Sequence, residues 1–278
     1  MRYKCQSKCK NKYLSVIIIA AYLALNASIS YATNIDAEYQ LNIHGVKLGS
    51  VGLVARLKNK SYSIAIRAFT DGFIDRMLKF TIETRARGVY NGHKINSTEY
   101  MTAYSNKRIK RRVVVKYPNN SRASVNATPP YVDYKDTIPL RAKHLRNVVD
   151  PLGAMLLPFN KKYANNAGQQ CNRIQPIFDG VTRYKLVMSA IKNTRKNDKS
   201  LKDAVSCLVR YYPIAGHRKG QSDRTIIDNY ASAKVWLLPI ENANSLLPVH
   251  VEIPTKFGSF EIKATKIKVD GKKLVLNN

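Results

Sequence analysis

Apolar and polar residues alternate with a period of two over most of the chain. Tyr39, Leu41 and Ile43 share one face of a segment whose other face carries Glu38, Gln40, Asn42 and His44, as a half-buried antiparallel strand requires. The stripe recurs as Val51, Leu53, Ala55 and Leu57, as Tyr62, Ile64, Ile66 and Ala68, and as Val113, Val115 and Tyr117. Turn signals separate these runs at Gly45 to Lys47, at Lys58 to Lys60 and at Asn91-Gly92, a hairpin dipeptide because both central positions tolerate positive φ. The first half therefore reads as a β-meander, interrupted at Asp71 to Lys79 by Phe73, Ile74, Met77 and Leu78, a spacing that suits a short helix or a covering loop.

From Tyr117 to Asp136 the alternation dissolves into Asn, Ser and the Pro129-Pro130 pair, which marks a surface connection or a boundary between lobes. Leu140 to Val149 then shows helical spacing, and Asp150-Pro151 reads as an N-cap followed by proline at the first helical position, starting a second short helix through Leu157. Leu152, Met155, Leu156 and Leu157 are too apolar for solvent and are expected to lie on a sheet. Strands return after the Asp179-Gly180 turn signal: Tyr184, Leu186, Met188 and Ala190, then Val205, Cys207, Val209 and Tyr211 beyond a charged loop at Asn193 to Ser200. Val235-Trp236-Leu237-Leu238, the stripe Val249, Val251 and Ile253, and the stripe Phe260, Ile262 and Ala264 follow. Ile267 and Val269 fall out of phase with the last stripe, which predicts a bulge near Thr265, and Asp270-Gly271 predicts a closing hairpin. The pattern predicts one mainly β domain with eight or more antiparallel strands.

Residues 1–32 do not belong to that pattern. Arg2, Lys4, Lys8, Lys10 and Lys12, with no acid among them, lead into an apolar run from Leu14 to about Ile29 that ends in Ser30-Tyr31-Ala32. This is the order of a secretory signal peptide with a small-residue cleavage site. The alternative, an uncleaved membrane anchor, would need a longer run free of Asn26, Ser28 and Ser30. The expectation is a leader over 1–32, a single exported β-rich domain over 33–278, a periplasmic address and no transmembrane span after cleavage.

Removing the leader takes away five basic residues and no acidic one, leaving 42 Lys and Arg against 18 Asp and Glu, a formal charge of +24. At this address the surplus points to anionic lipid headgroups, lipopolysaccharide or cell-wall polymers, and not to nucleic acid. The densest run, Lys107 to Arg112, enters the Val113 strand and reads either as a charge-guarded strand edge or as a polyanion-binding patch. Two cysteines remain, Cys171 and Cys207. In an oxidising compartment they are expected to form a disulfide, because a metal pair or redox dithiol uses closer spacing.

The order of several short motifs resembles a known family. Val149-Asp150-Pro151-Leu152, Cys171, Phe178-Asp179-Gly180 with Arg183-Tyr184, Cys207, Tyr212-Pro213 with Gly216-His217, Val235-Trp236-Leu237, Pro248, Phe257-Gly258 and the earlier Tyr90-Asn91-Gly92 to Tyr100 segment are similar to the bacterial domain-of-unknown-function family numbered 3108. The resemblance implies an exported envelope protein built as an antiparallel half-barrel similar to periplasmic lipoprotein carriers, a strongly curved sheet with short helices on its concave face. It brings no catalytic residues.

Motifs for catalysis are absent: there is no G-x-S-x-G elbow, H-E-x-x-H, Walker loop or dinucleotide fingerprint, and neither cofactor nor metal is expected. His44, His93, His144, His217 and His250 are scattered singly and read as surface residues, with His217 in a polar loop the one position left open. Asp179 reads as a turn cap. Phe69, Phe73, Met77, Phe80, Leu152, Met155, Leu156 and Trp236 supply large apolar side chains that either line an apolar groove suited to an acyl chain or simply pack helix on sheet. The functional expectation is a noncatalytic envelope protein that binds lipid, a lipidated protein or an anionic envelope component; the alternative is an enzyme acting on envelope polymers.

Overall fold

The computed structural model describes residues 32–58, 60–91, 94–119, 121–131, 134–164, 166–191, 201, 203–219, 232–255 and 258–274. The proposed leader and the Asn193 to Ser200 loop lie outside them. Fifteen strands form one antiparallel sheet: β1 (Thr33–Ile43), β2 (Val46–Lys58), β3 (Ser61–Thr70), β4 (Thr81–Asn91), β5 (Lys94–Ser105), β6 (Lys110–Lys116), β7 (Ser124–Thr128), β8 (Leu157–Pro158), β9 (Arg173–Phe178), β10 (Arg183–Ala190), β11 (Val205–Ala215), β12 (Ser232–Ile240), β13 (Ser245–Thr255), β14 (Gly258–Val269) and β15 (Lys272–Leu274). Two α-helices accompany them among the described residues, α1 (Gly72–Leu78) and α2 (Ala167–Cys171). No helix among the described residues is long and apolar enough to cross a membrane.

The strand order is β7-β6-β5-β4-β3-β2-β1-β14-β13-β12-β11-β10-β9, so the sheet starts and ends at its own centre and two meanders run outward from the β1–β14 pair. Thr265 has no partner between the Glu38–Lys266 and Tyr39–Ala264 pairs, which is the expected bulge, and β14–β15 is the expected hairpin. The sheet curves until its two ends meet across the interior. The Tyr117 hydroxyl, just past β6, donates to the Phe178 carbonyl on β9 at 2.6 Å. Yet β7 and β9 do not pair with each other. The edge of β9 is instead taken by the connecting chain, where Val149 N–H donates to Pro176 O and Val149 O accepts from Phe178 N–H.

That pairing explains a difference from the sequence reading. The short helices expected over 140–157 are single 3-10 turns, Ala142–Leu145 and Gly153–Met155. Between them Asn147 takes a left-handed conformation (φ 52°) and Val148-Val149 runs extended along the sheet edge. Backbone groups at an open edge need partners more than this stretch needs a second helical turn. The Gly153–Met155 turn lies on the concave face against β4 and β5, and Leu152 and Leu156 are buried in the main core with Tyr62, Ile64, Tyr100, Val113 and Phe178. Another difference concerns 117–136, read as a connection: it contains β7, whose single aliphatic pair, Val125 and Ala127, carries too little periodicity to announce a strand.

Strands β12 and β13 pack on both faces. Their inner face joins the main core, while Leu157, Phe159 and α2 cover an outer cluster containing Val205, Cys207, Val235, Leu237 and Leu246. Cys171 at the end of α2 and Cys207 on β11 form a disulfide, both fully buried.

Candidate functional site

A buried carboxylate holds the connecting chain inside the sheet. Asp150 is completely enclosed, and its Oδ2 accepts from the Tyr62 hydroxyl on β3 and the Ser97 hydroxyl on β5. Its Oδ1 accepts from Gly153 N–H at 2.6 Å, and its own N–H donates to Ser97 Oγ at 2.7 Å. The N-capping chemistry expected of Asp150 is therefore present over a single turn. Burial pushes the Asp150 carboxyl above its ordinary range, with the hydroxyl and amide donors pulling the other way. Asp179 is also driven up by burial and accepts from the N–H groups of Val181 and Thr182, the turn-capping role expected of it. Both interior carboxylates are thus committed to local structure.

Where the two sheet edges fail to join, a cleft of about 450 Å3 opens. Its walls are the start of β5 (Lys94, Ile95, Asn96, Ser97), the chain after β6 (Tyr117 to Asn119, Ser121, Ala123), the plug segment (Leu145, Asn147, Val148, Val149) and the β9 edge (Ile174, Gln175, Pro176). Ser97 links the cleft wall to Asp150. Among the described residues Lys94 is the one charged member of the lining, which otherwise mixes aliphatic side chains with amides and hydroxyls. Such a surface can hold an amphiphile of neutral or negative head. Sequence reasoning missed this cleft. A signal for its anchor was present: Asp150 sits in Val-Val-Asp-Pro-Leu, with apolar residues on both sides, a setting that suits a buried, hydrogen-bonded acid.

The eight apolar residues singled out from the sequence occupy two places. Leu152, Met155, Leu156 and Trp236 belong to the main core. Phe69, Phe73 and Met77 are exposed around α1, and Phe80 is half-buried beside them in the chain. His250, read as a surface residue, is 9 % exposed and stacks on Trp236 with ring centroids 4.8 Å apart. The cause is a bulge: Trp236 pairs with His250 and Leu237 with Pro248, so the extra residue Val249 turns His250 onto the face of Trp236. The carbonyl of His217 accepts from Ile138 N–H and the adjacent Gly216 N–H donates to Ile138 O, an arrangement that anchors the loop. The basic run enters β6, which pairs with β5 on one side and β7 on the other, so its charges do not guard an edge. Among the described residues, no three His, Cys, Asp or Glu side chains cluster as a metal site would need.

Sheet and cleft together define an open antiparallel half-barrel plugged by its own connecting chain. The chain belongs to the DUF3108 family, described as a protein of unknown function, whose model matches residues 37–265. Among solved structures it is similar to a β-barrel-like protein of the domain of unknown function DUF1849 from Brucella abortus, at 12 % identity and a TM-score of 0.48, over 85 % of this chain and 98 % of that one. It is also similar to a DUF1329 family protein from Desulfovibrio piger, at 10 % identity and a TM-score of 0.21, over 92 % of each chain. No curated protein matches the chain.

Proposed function

We propose that this is an exported, noncatalytic protein of the bacterial envelope, periplasmic after removal of residues 1–32, that binds a lipid, a lipidated protein or another anionic envelope component in the seam cleft. The observation that carries the reading is the lining of that cleft: aliphatic groups, neutral polar groups and Lys94, with no carboxylate. An acyl or peptide segment gains burial against Ile95, Leu145, Val148 and Ile174, and an anionic group gains the lysine. Acid or base catalysis finds no support there, because Asp150 is enclosed, Asp179 is half-buried, and both are already hydrogen-bonded. The basic N-terminal segment, its apolar run and the Ser-Tyr-Ala end support export, and the +24 charge of residues 33–278 suits an anionic partner.

Native mass spectrometry of the protein purified from its own envelope tests this. A co-purifying amphiphile is expected, and Ile174→Trp, placed at a side chain that is 62 % exposed and outside the core, should displace it. Protein that is uniformly empty, or that cleaves envelope polymers, overturns the proposal.

A further inference from the structure

One end of the sheet exposes an apolar surface that no described part of the protein covers. Helix α1 buries none of its side chains. Phe73, Met77 and Leu78 are 70, 59 and 57 % exposed, and Phe69 on β3, Val46 at the β1–β2 turn and Ile109 at the β5–β6 turn are exposed as well. Hydrogen bonds and an ion pair hold these pieces together: Lys107 Nζ donates to the Arg76 carbonyl, and Lys47 pairs with Asp71, the residue preceding α1, at 2.8 Å. Three separate loops thus present their apolar side chains at the same end of the molecule.

Charge decides what fits there. Arg76, Lys79, Lys107 and Arg108 are exposed around the apolar group, and none is in an ion pair among the described residues. The acids of this end are already engaged: Asp71 by Lys47 and Ser50, which hold its carboxyl below the ordinary range, and Asp75 by the Thr70 hydroxyl. Beside it, Lys110 and Arg112 line a shallow hollow whose one acid, Glu83, pairs with Arg67. An apolar tip of Phe, Met, Leu and Ile ringed by cations that are in no ion pair among the described residues matches the boundary between acyl chains and anionic headgroups, where burial and electrostatic attraction act together.

We infer that this end of the sheet docks on the surface of an anionic lipid bilayer, with Phe73 and Met77 inserted at headgroup depth and Arg76, Lys79, Lys107 and Arg108 against phosphates. The site is separate from the seam cleft and holds whether or not the cleft carries a ligand. Co-sedimentation of the protein, as its own cell processes it, with phosphatidylglycerol–phosphatidylcholine vesicles and with phosphatidylcholine vesicles tests the inference. Binding is expected to the anionic vesicles alone and to weaken steeply as salt rises. Arg76, Lys79 and Arg108 together replaced by Gln should lower partitioning on the order of a hundredfold, and Phe73→Ser with Met77→Ser on the order of tenfold or more. All five side chains are outside the core, so circular dichroism should be unchanged. Ile174→Trp should leave vesicle binding intact while removing any cleft ligand, which separates this site from the other. Absence of vesicle binding, equal binding to both vesicle types, equal loss from three scattered lysine-to-glutamine changes, or capture of a protein partner on α1 with no lipid affinity would each overturn it.

Discussion

Asp150 gives a pH signature that a merely well-packed core would not. Burial raises its carboxyl above the ordinary value of about 3.9, so the folded state binds a proton more readily than the unfolded chain. The sign follows: the contribution of this group to stability is most favourable below the unfolded value, declines as pH rises toward the raised folded value, and is flat above it. Each pH unit across that window corresponds to about 1.4 kcal/mol. Asp150→Asn keeps the shape and removes the charge. Its carbonyl can still accept from Gly153 N–H, and its amide can donate to the Tyr62 and Ser97 hydroxyls, which lie 3.2 Å apart and can reverse their own donation. Relative to wild type, the Asn variant should therefore gain stability as pH rises from the ordinary carboxylate value toward the raised folded value, and no further above it. Asp150→Ala should lose about 3–5 kcal/mol, because the two hydroxyls and an amide lose their acceptor at once, and Tyr62→Phe about 1–3 kcal/mol. Urea unfolding read by circular dichroism, and by the fluorescence of Trp236, the only tryptophan, supplies the numbers. A wild-type-minus-Asn difference independent of pH, or an Ala variant within about 1 kcal/mol of wild type, would refute the reasoning.

Two further outcomes test the frame around the site. Replacing Cys171 and Cys207 together by Ala opens a loop of sequence separation 36 and should destabilise the fold by roughly 4 kcal/mol in denaturant titration; recovery of two free thiols from unfolded, unreduced protein would end that expectation. Gly180→Ala should cost about 2–4 kcal/mol in the same assay, since its φ is +100° and an added Cβ would lie 2.7 Å from Val113 and 2.9 Å from Val115; a change below about 1 kcal/mol would mean that the β9–β10 turn is not wedged against β6.

The parts of this fold that are legible in the sequence are those decided by local alternation. Residues 39–68 and 113–117 show their strands because one face is buried and the other is wet, and Thr265 shows its bulge because Ile267 and Val269 change phase around it. What is not legible is set by distant chain. Val148-Val149 carries a helical spacing but pairs with β9 because that edge has no other strand, and no local pattern reports a missing neighbour nearly thirty residues ahead. His250 reads as polar-faced until the Val249 bulge, itself dictated by pairing with β12, turns it inward. Cleft and docking end fail for a similar reason. Phe73 and Leu152 look alike as apolar residues in short turns, and only the tertiary fold leaves one in solvent and encloses the other.

The position of the two sites along the same strand constrains how they work together. Lys94 to Ser97, in the cleft wall, begin β5, whereas Ser105 ends it beside the Lys107–Arg76 contact. Twelve residues of antiparallel strand separate them by on the order of 35 Å. If the molecule seats on a bilayer through α1 with β5 upright, its cleft lies beyond the headgroup layer, out of reach of acyl chains still packed in that membrane. Its ligand would have to arrive through the aqueous space, as a desorbed amphiphile or as part of a soluble partner. If the cleft binds as proposed, its mixed lining suits that delivery better than a deep apolar tunnel would, with Ile95, Leu145, Val148 and Ile174 available to a chain and Lys94 to its negative end.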